Sequence, residues 1–280
     1  MCAWWNTRRA IRLDPRARVA GLQGAHKVRR VRVIGPGRVG RSFMTVLAEK
    51  GWRVEAPVCR GDDLRGAAAG VDLLLITTPD DAIRRVAQAV EPDEHTVVAH
   101  AAGAQSLDPL QPHLRRASLH PLTSLPDPVV GAERLRRGCC FAVDGDELVT
   151  DLVRELGGRA FRVAPEDRVL YHAAAAIAAN HLVALLGQVE RVAAQAGLPL
   201  DAYLALAEQT LANVRRLGPA AALTGPVARG DWATVARHLA ALPPEEAAGY
   251  RAMADLATRL VPGNVTPAEP TADSMAEEVA

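Results

Sequence analysis

Val31-Arg32-Val33-Ile34-Gly35-Pro36-Gly37-Arg38-Val39-Gly40 is the stretch that decides the fold. The alternating apolar run Val31–Ile34 reads as a strand, and a helix is expected to begin near Arg38. Between them the spacing Gly-x-Gly-x-x-Gly has a distinct task for each glycine. Gly35 permits a tight turn, Gly37 lets main chain approach a diphosphate, and Gly40 lets the helix pack close to the strand. The helix N-terminus then offers unpaired N–H groups and a positive dipole end to the phosphates. Pro36, Arg38 and Val39 complete the proposed cradle. The plain alternative is a glycine-rich strand-to-helix turn with no ligand.

Outward from this loop the chain alternates. Residues 52–58 read as a second strand, and residues 71–78 form a nearly unbroken apolar run, as expected of a strand covered on both faces. A helix is expected over 80–90, then strands at 96–103, 117–122 and 139–145. Strands alternating with helices predict an α/β domain with a doubly wound parallel sheet, the Rossmann arrangement, over residues 29–164. From Pro165 the pattern changes to a helix of roughly 30 residues stopped by Gly197, far above the mean of about 11–12. Further helices are expected near 200–217, 231–241 and 244–260. Residues 165–261 therefore read as an all-α second domain for substrate binding and dimerisation. Residues 1–28, rich in arginine, read as a disordered leader, and the proline-rich acidic residues 262–280 as a disordered tail.

Composition removes several classes. Of 280 residues, 49% are hydrophobic and 23% charged, and the net charge of +1 favours neither nucleic acid nor an anionic membrane as partner. No apolar run is read as reaching the roughly 20 residues that cross a bilayer, and no signal peptide is recognisable, so a cytoplasmic protein is expected. Cys2, Cys59, Cys139 and Cys140 have no metal-ligand spacing, and no metal site is expected. Cys139 and Cys140 should point to opposite faces of a strand. Only Lys27 and Lys50 are lysines, so no mechanism can draw a lysine from the C-terminal part.

The coenzyme choice depends on the end of the second strand, where an acid selects NAD and an arginine accommodates the 2′-phosphate of NADP. Glu55 lies inside the strand as drawn, whereas Arg60 occupies the following turn. NADP is favoured over NAD on that ground. In open α/β sheets ligands sit beyond the carboxyl ends of the strands. That directs attention to Thr78 and Pro79, to His100 and to His120. Thr78 or Asp80 is expected to cap the next helix. A histidine titrates near neutrality and can carry the proton that accompanies hydride transfer. His120, directed by Pro121, is the better candidate, and His100 lies within an apolar run.

On the long helix, steps of four place His172, Ala176 and Asn180 on one face, and His172 and Asn180 are candidates for orienting substrate. In Leu223-Thr224-Gly225-Pro226-Val227-Ala228-Arg229-Gly230-Asp231, Thr224 and Arg229 could meet an anionic substrate, while Asp231 reads as a helix cap.

The combination VRVIGPGRVG, LLLITTPDDAI, VVAHAAGA, ASLHPLTSLP, YHAAAAIAANHLVALL and LTGPVARGD resembles, over residues 30–260, a family of Rossmann-like proteins with a C-terminal helical domain of unknown function 2520. The family is treated as NADP-dependent oxidoreductases and is distantly similar to pyrroline-5-carboxylate reductases and the 6-phosphogluconate dehydrogenase superfamily. The resemblance implies hydride transfer between nicotinamide and a small-molecule carbonyl, imine or alcohol, and a homodimer. His120-Pro121-Leu122 also resembles the His-Pro-Met stretch of prephenate dehydrogenases, which makes His120 the first choice for a catalytic group. Two departures stand out: Ala101 and Ala102 replace hydroxyl residues common in relatives, and Ala176 stands where hydroxyacid dehydrogenases carry lysine. A non-catalytic dinucleotide- or metabolite-sensing protein is the competing expectation.

Overall fold

The computed structural model describes residues 28–261; the expectations for residues 1–27 and 262–280 lie outside them. Seven strands form one sheet: β1 (Arg30–Ile34), β2 (Arg53–Val54), β3 (Leu73–Ile76), β4 (Val97–His100), β5 (Arg116–Pro121), β6 (Cys140–Gly145) and β7 (Arg159–Arg162). Their order is β2-β1-β3-β4-β5-β6-β7. The first five are parallel, but β6 runs antiparallel to β5 and parallel to β7, so the sheet is mostly rather than wholly parallel. Chain order reverses between β1 and β3, the position where open α/β sheets bind ligands.

The helices of this half are α1 (Arg38–Glu49), α2 (Ile83–Ala89), α3 (Pro128–Arg136) and α4 (Leu148–Glu155). Strand alternation divides the sheet's side chains between two cores. Val31, Val33, Leu73, Leu75, Leu119, Phe141 and Val143 join Phe43 and Leu47 of α1, Leu135 of α3 and Leu152 of α4 on one face. Ile34, Leu74, Ile76 and Val98 meet Ile83 and Val86 of α2 on the other. Both faces are covered, which explains the unbroken apolar run of β3.

Several elements differ from expectation for local reasons. The second strand is only two residues long, because Pro57 lacks an N–H; pairing resumes at Val58, whose amide donates to Val33 O at 2.9 Å. The helix predicted over 80–90 starts as a 3₁₀ turn, Asp80–Ala82, with Pro79 at its N-cap and no side-chain cap. Thr78 and Asp80 therefore do not cap it. Helices α3 and α4 and strand β7, only four to nine residues long, lie outside the elements expected from the sequence; α4 nevertheless buries Val149, Leu152 and Val153. Asp127 caps α3 by accepting from Val129 N and Val130 N.

The described residues divide into two compact units, 28–171 and 172–261, with the boundary inside a helix. That helix comprises α5 (Arg168–Ala176), a π-helical turn Ile177–His181 and α6 (Leu182–Gln195). Gly197, at φ 71°, terminates it as predicted. Within Pro165–Gln195 an 18-residue window has a mean hydropathy of 1.6, so by length and composition the helix could cross a membrane. The reading that no stretch attains this is thus corrected; isolated His172, Asn180 and His181 hide the run from inspection.

The second unit continues with α7 (Leu200–Leu217), α8 (Pro219–Ala222), α9 (Trp232–Ala241) and α10 (Pro244–Thr258). Its described core is small: Val227, Val235 and Ala254, flanked by Leu239, Tyr250 and Ala257. Arg191 pairs with the buried Glu246, whose main-chain oxygen accepts from Gln188 Nε2 at 2.8 Å.

Phe141 is fully buried in the first core, so Phe141→Ala should destabilise the protein by about 3–5 kcal/mol. Urea unfolding followed by tryptophan fluorescence checks this through a lowered midpoint.

Candidate active site

The loop after β1 is held by its own backbone. Gly35 adopts φ +83°, and a Cβ there would meet Thr78 Cγ2 at 2.9 Å. Gly40 is tighter: its Cβ would lie 2.6 Å from Thr77 Oγ1 and 2.9 Å from Gly35 O. Helix α1 thus approaches the turn as closely as main chain allows. Thr77 Oγ1 donates to Gly35 O at 2.7 Å, tying the loop after β3 to the loop after β1. Gly37 differs from both. A Cβ there would find only Gly35 O, at 4.0 Å, so its open side faces space.

These features fit a diphosphate. Helix α1 has Gly37 as N-cap, no side chain caps it, and no acid lies in its first turn. Thr78 Oγ1 is buried without a hydrogen-bond partner at the same turn. A ligand offering phosphate oxygens would satisfy both the first-turn amides and this hydroxyl.

Next to the loop lies a cavity of about 360 Å³ lined by Arg38, Val39, Ala101, His120, Pro121, Thr123, Ser124, Leu125 and Pro126. Its volume falls in the range of small-molecule sites. His120 ends β5 at its rim and is joined to the Tyr171 hydroxyl through Nδ1 at 2.7 Å. The two rings also meet edge to face, with centroids 5.5 Å apart, and Phe161 packs on Tyr171 from another side. Burial pushes the Tyr171 phenol up to about 12, so it stays protonated at neutral pH.

The other predicted residues separate. Arg38 and Val39 join His120 in the cavity wall. Pro36 accepts from Arg41 Nε, and Pro79 starts the turn after β3. Glu55 is engaged by Arg30 and Arg53, and the Arg30 hydrogen bond holds its carboxyl below the usual range. Arg60 is exposed in the turn after β2 and pairs with no acid among the described residues. His100 is fully buried and outside the cavity wall. Its Nδ1 accepts from Ala102 N–H at 3.2 Å, which leaves Nε2–H to donate to Ser106 O at 2.9 Å. This histidine braces the loop after β4, and burial pushes its imidazole down to about 4.

His172 and Asn180 belong to the second unit. The π turn Ile177–His181 intervenes, so the four-residue step that aligned them does not apply at Asn180. Thr224 and Arg229 are exposed, Arg229 ending a 3₁₀ turn. Asp231 caps α9 as expected, accepting from Thr234 N at 3.0 Å.

Two residues escaped the sequence reading, Tyr171 and Arg168. They stand three positions apart, a spacing that shares a helix face, but which face meets the sheet is a tertiary fact. Arg168 is fully buried, and its Nη2 reaches Ala102 O at 3.5 Å.

The fold and this loop define a Rossmann-type α/β protein with a helical C-terminal unit. The model of a domain of unknown function, DUF2520, matches residues 139–257. No curated protein matches the sequence. Among solved structures, a candidate NADP oxidoreductase of Bacteroides fragilis shares the fold at TM-score 0.69 and 18% identity, covering 83% of this chain and 98% of its own. A Thermotoga maritima protein aligns at TM-score 0.62 and 22% identity, covering 82% and 97%. The reductive aminase of Aspergillus terreus, solved with NADPH, cyclohexanone and allyl amine, aligns at TM-score 0.62 and 14% identity, covering 83% and 94%.

The buried neutral His100 links stability to acidity. Unfolded, its imidazole titrates near 6.5; folded, near 4. The unfolded chain takes up the proton first, so this contribution is complete above pH 6.5 and is lost as pH falls towards 4. The loss should approach about 3 kcal/mol. His100→Gln, whose amide can keep one donor and one acceptor, should flatten that part of the stability–pH curve in denaturant titrations.

Proposed function

We propose that this protein is an NADP-dependent oxidoreductase that moves a hydride between nicotinamide and a carbonyl, imine or alcohol carbon of a small molecule. The observation that carries the reading is the Gly35–Gly40 loop, open at Gly37 and facing an unpartnered Thr78 hydroxyl, next to a cavity walled by Arg38, Val39 and His120. NADPH in the reductive aminase structure and the naming of the Bacteroides fragilis protein support it.

In this reading the amides of Arg38, Val39 and Gly40, with Thr78, hold the diphosphate. Arg60 meets the 2′-phosphate, because Glu55 is occupied by Arg30 and Arg53 and cannot turn to a ribose hydroxyl. The bound nicotinamide supplies the hydride chemistry. His120 handles the proton at the reacting oxygen or nitrogen. Tyr171, protonated at neutral pH, donates to Nδ1 of His120 and so sets the tautomer with the exchangeable proton on Nε2. The last 230 residues hold no lysine, which leaves the histidine–tyrosine pair as the proton route.

Gly37→Val tests the loop. Fluorescence titration should show NADPH affinity falling about 100-fold or more, while the melting temperature holds because the added methyls enter open space. With keto acids and imines, His120→Ala should slow NADPH oxidation by about 10²- to 10⁴-fold, and Tyr171→Phe by less, at unchanged NADPH affinity. Tight NADPH binding without turnover of any such compound would instead favour a sensing role.

The partner in this reading is a second copy of the chain. Helix α7 buries none of its 18 residues. Ile177, Val183, Leu206 and Leu211 expose 53–71% of their surface. A unit of this size needs more apolar burial than its described core supplies. Charged residues along α7, Asp201, Glu208, Arg215 and Arg216, suit a protein partner better than lipid. Light scattering should give a dimer mass for the wild type, and Val183→Asp should shift the population to monomer; a monomeric wild type, or one that partitions into detergent or vesicles, contradicts the dimer.

A further inference from the structure

Behind His120 a polar row crosses the sheet. Strand register pairs His100 with Ser118, and Ser118 with Asp144. Ser118 and His120 lie on the same face of β5, one pleat period or about 6–7 Å apart. Ser118 is fully buried and its hydroxyl has no partner.

Arg168 meets this row from the helix. Its Nη2 reaches Ala102 O, two residues after His100, and one turn further on Tyr171 bonds His120, so the guanidinium enters at the end of the row nearest the cavity. Nε and Nη1 are buried and unpartnered, and Nη2 has only the long contact to Ala102 O. Asp144 makes no direct ion pair with it; its Oδ1 accepts from Gly145 N–H and faces Arg162 at 3.7 Å. A guanidinium stays charged at any working pH. With Nε and Nη1 buried and unpartnered, it carries a desolvation penalty that a further anion or strong acceptor offsets.

We propose that Arg168, with Ser118, receives the carboxylate of a short-chain substrate whose reducible carbon lies at His120. The inference rests on the reading of the His120 cavity as the reaction site and adds the substrate class to it. Ser118 and His120 stand only one pleat period apart on β5, which favours a short-chain substrate. That fits small oxo acids, or imines bearing a carboxylate. Arg229, exposed on the second unit, is thereby replaced as the anion-binding residue.

Propionate and its uncharged amide, propionamide, are suitable probes, titrated by saturation-transfer NMR into the full chain with saturating NADP+. Propionate should bind at least about tenfold tighter than propionamide, and Arg168→Gln should abolish the difference. Arg168→Lys should retain a preference for propionate, and Ser118→Ala should weaken it about threefold. Equal binding of the two probes, no propionate binding, or propionate affinity unaffected by Arg168→Gln would overturn the proposal. If Arg168→Gln fails to fold, unchanged propionate affinity in both other variants does so instead. NADP+ affinity is measured separately. Arg168-dependent propionate binding without NADP+ binding would sink the coenzyme reading and leave the subsite standing, and the reverse result would sink only the subsite.

Discussion

The absence of a single methyl group, at Gly40, governs the first half of this molecule. Any side chain there would strike Thr77 Oγ1 and the carbonyl of Gly35. Because none exists, α1 lies against the end of β1, and its N-terminal amides gather over the turn between β1 and β3. Thr77 closes the arrangement by donating to Gly35 O, so two loops that are distant in sequence become one surface. The anion-binding character of that surface follows from backbone dipoles and needs no basic side chain.

Three histidines near the strand ends illustrate how environment assigns roles. His100 has both ring nitrogens committed to backbone and is held neutral by burial. His113 is likewise buried, with Nε2 at 2.9 Å from Ala87 O. His120 alone among them sits at a cavity wall, with a phenol on Nδ1. A neutral imidazole with one nitrogen fixed can exchange a proton only through the other. Of the three, His120 is thus the one placed at a cavity, while His100 stiffens the loop beside it.

The two units obey different economies of burial. The sheet half covers both of its faces and completes two cores. The helical half leaves Ile177, Val183, Leu206 and Leu211 exposed and has a small described core with one buried acid tied to Arg191.

Much of this could be read from the sequence alone. The β1–loop–α1 unit, the both-sides-buried β3, the long helix and its stop at Gly197 all rest on local rules of spacing, periodicity and glycine conformation, which act within a few residues. His120 was legible as well, because a histidine at the end of a strand is placed by strand register. Only tertiary structure decided the rest. The reversal of β6 and the placing of the short α3 and α4 depend on pairing and packing between distant segments. Arg168 and Tyr171 were invisible for the same reason: a helix shows its periodicity in sequence, but its rotation about its own axis is set by what it packs against.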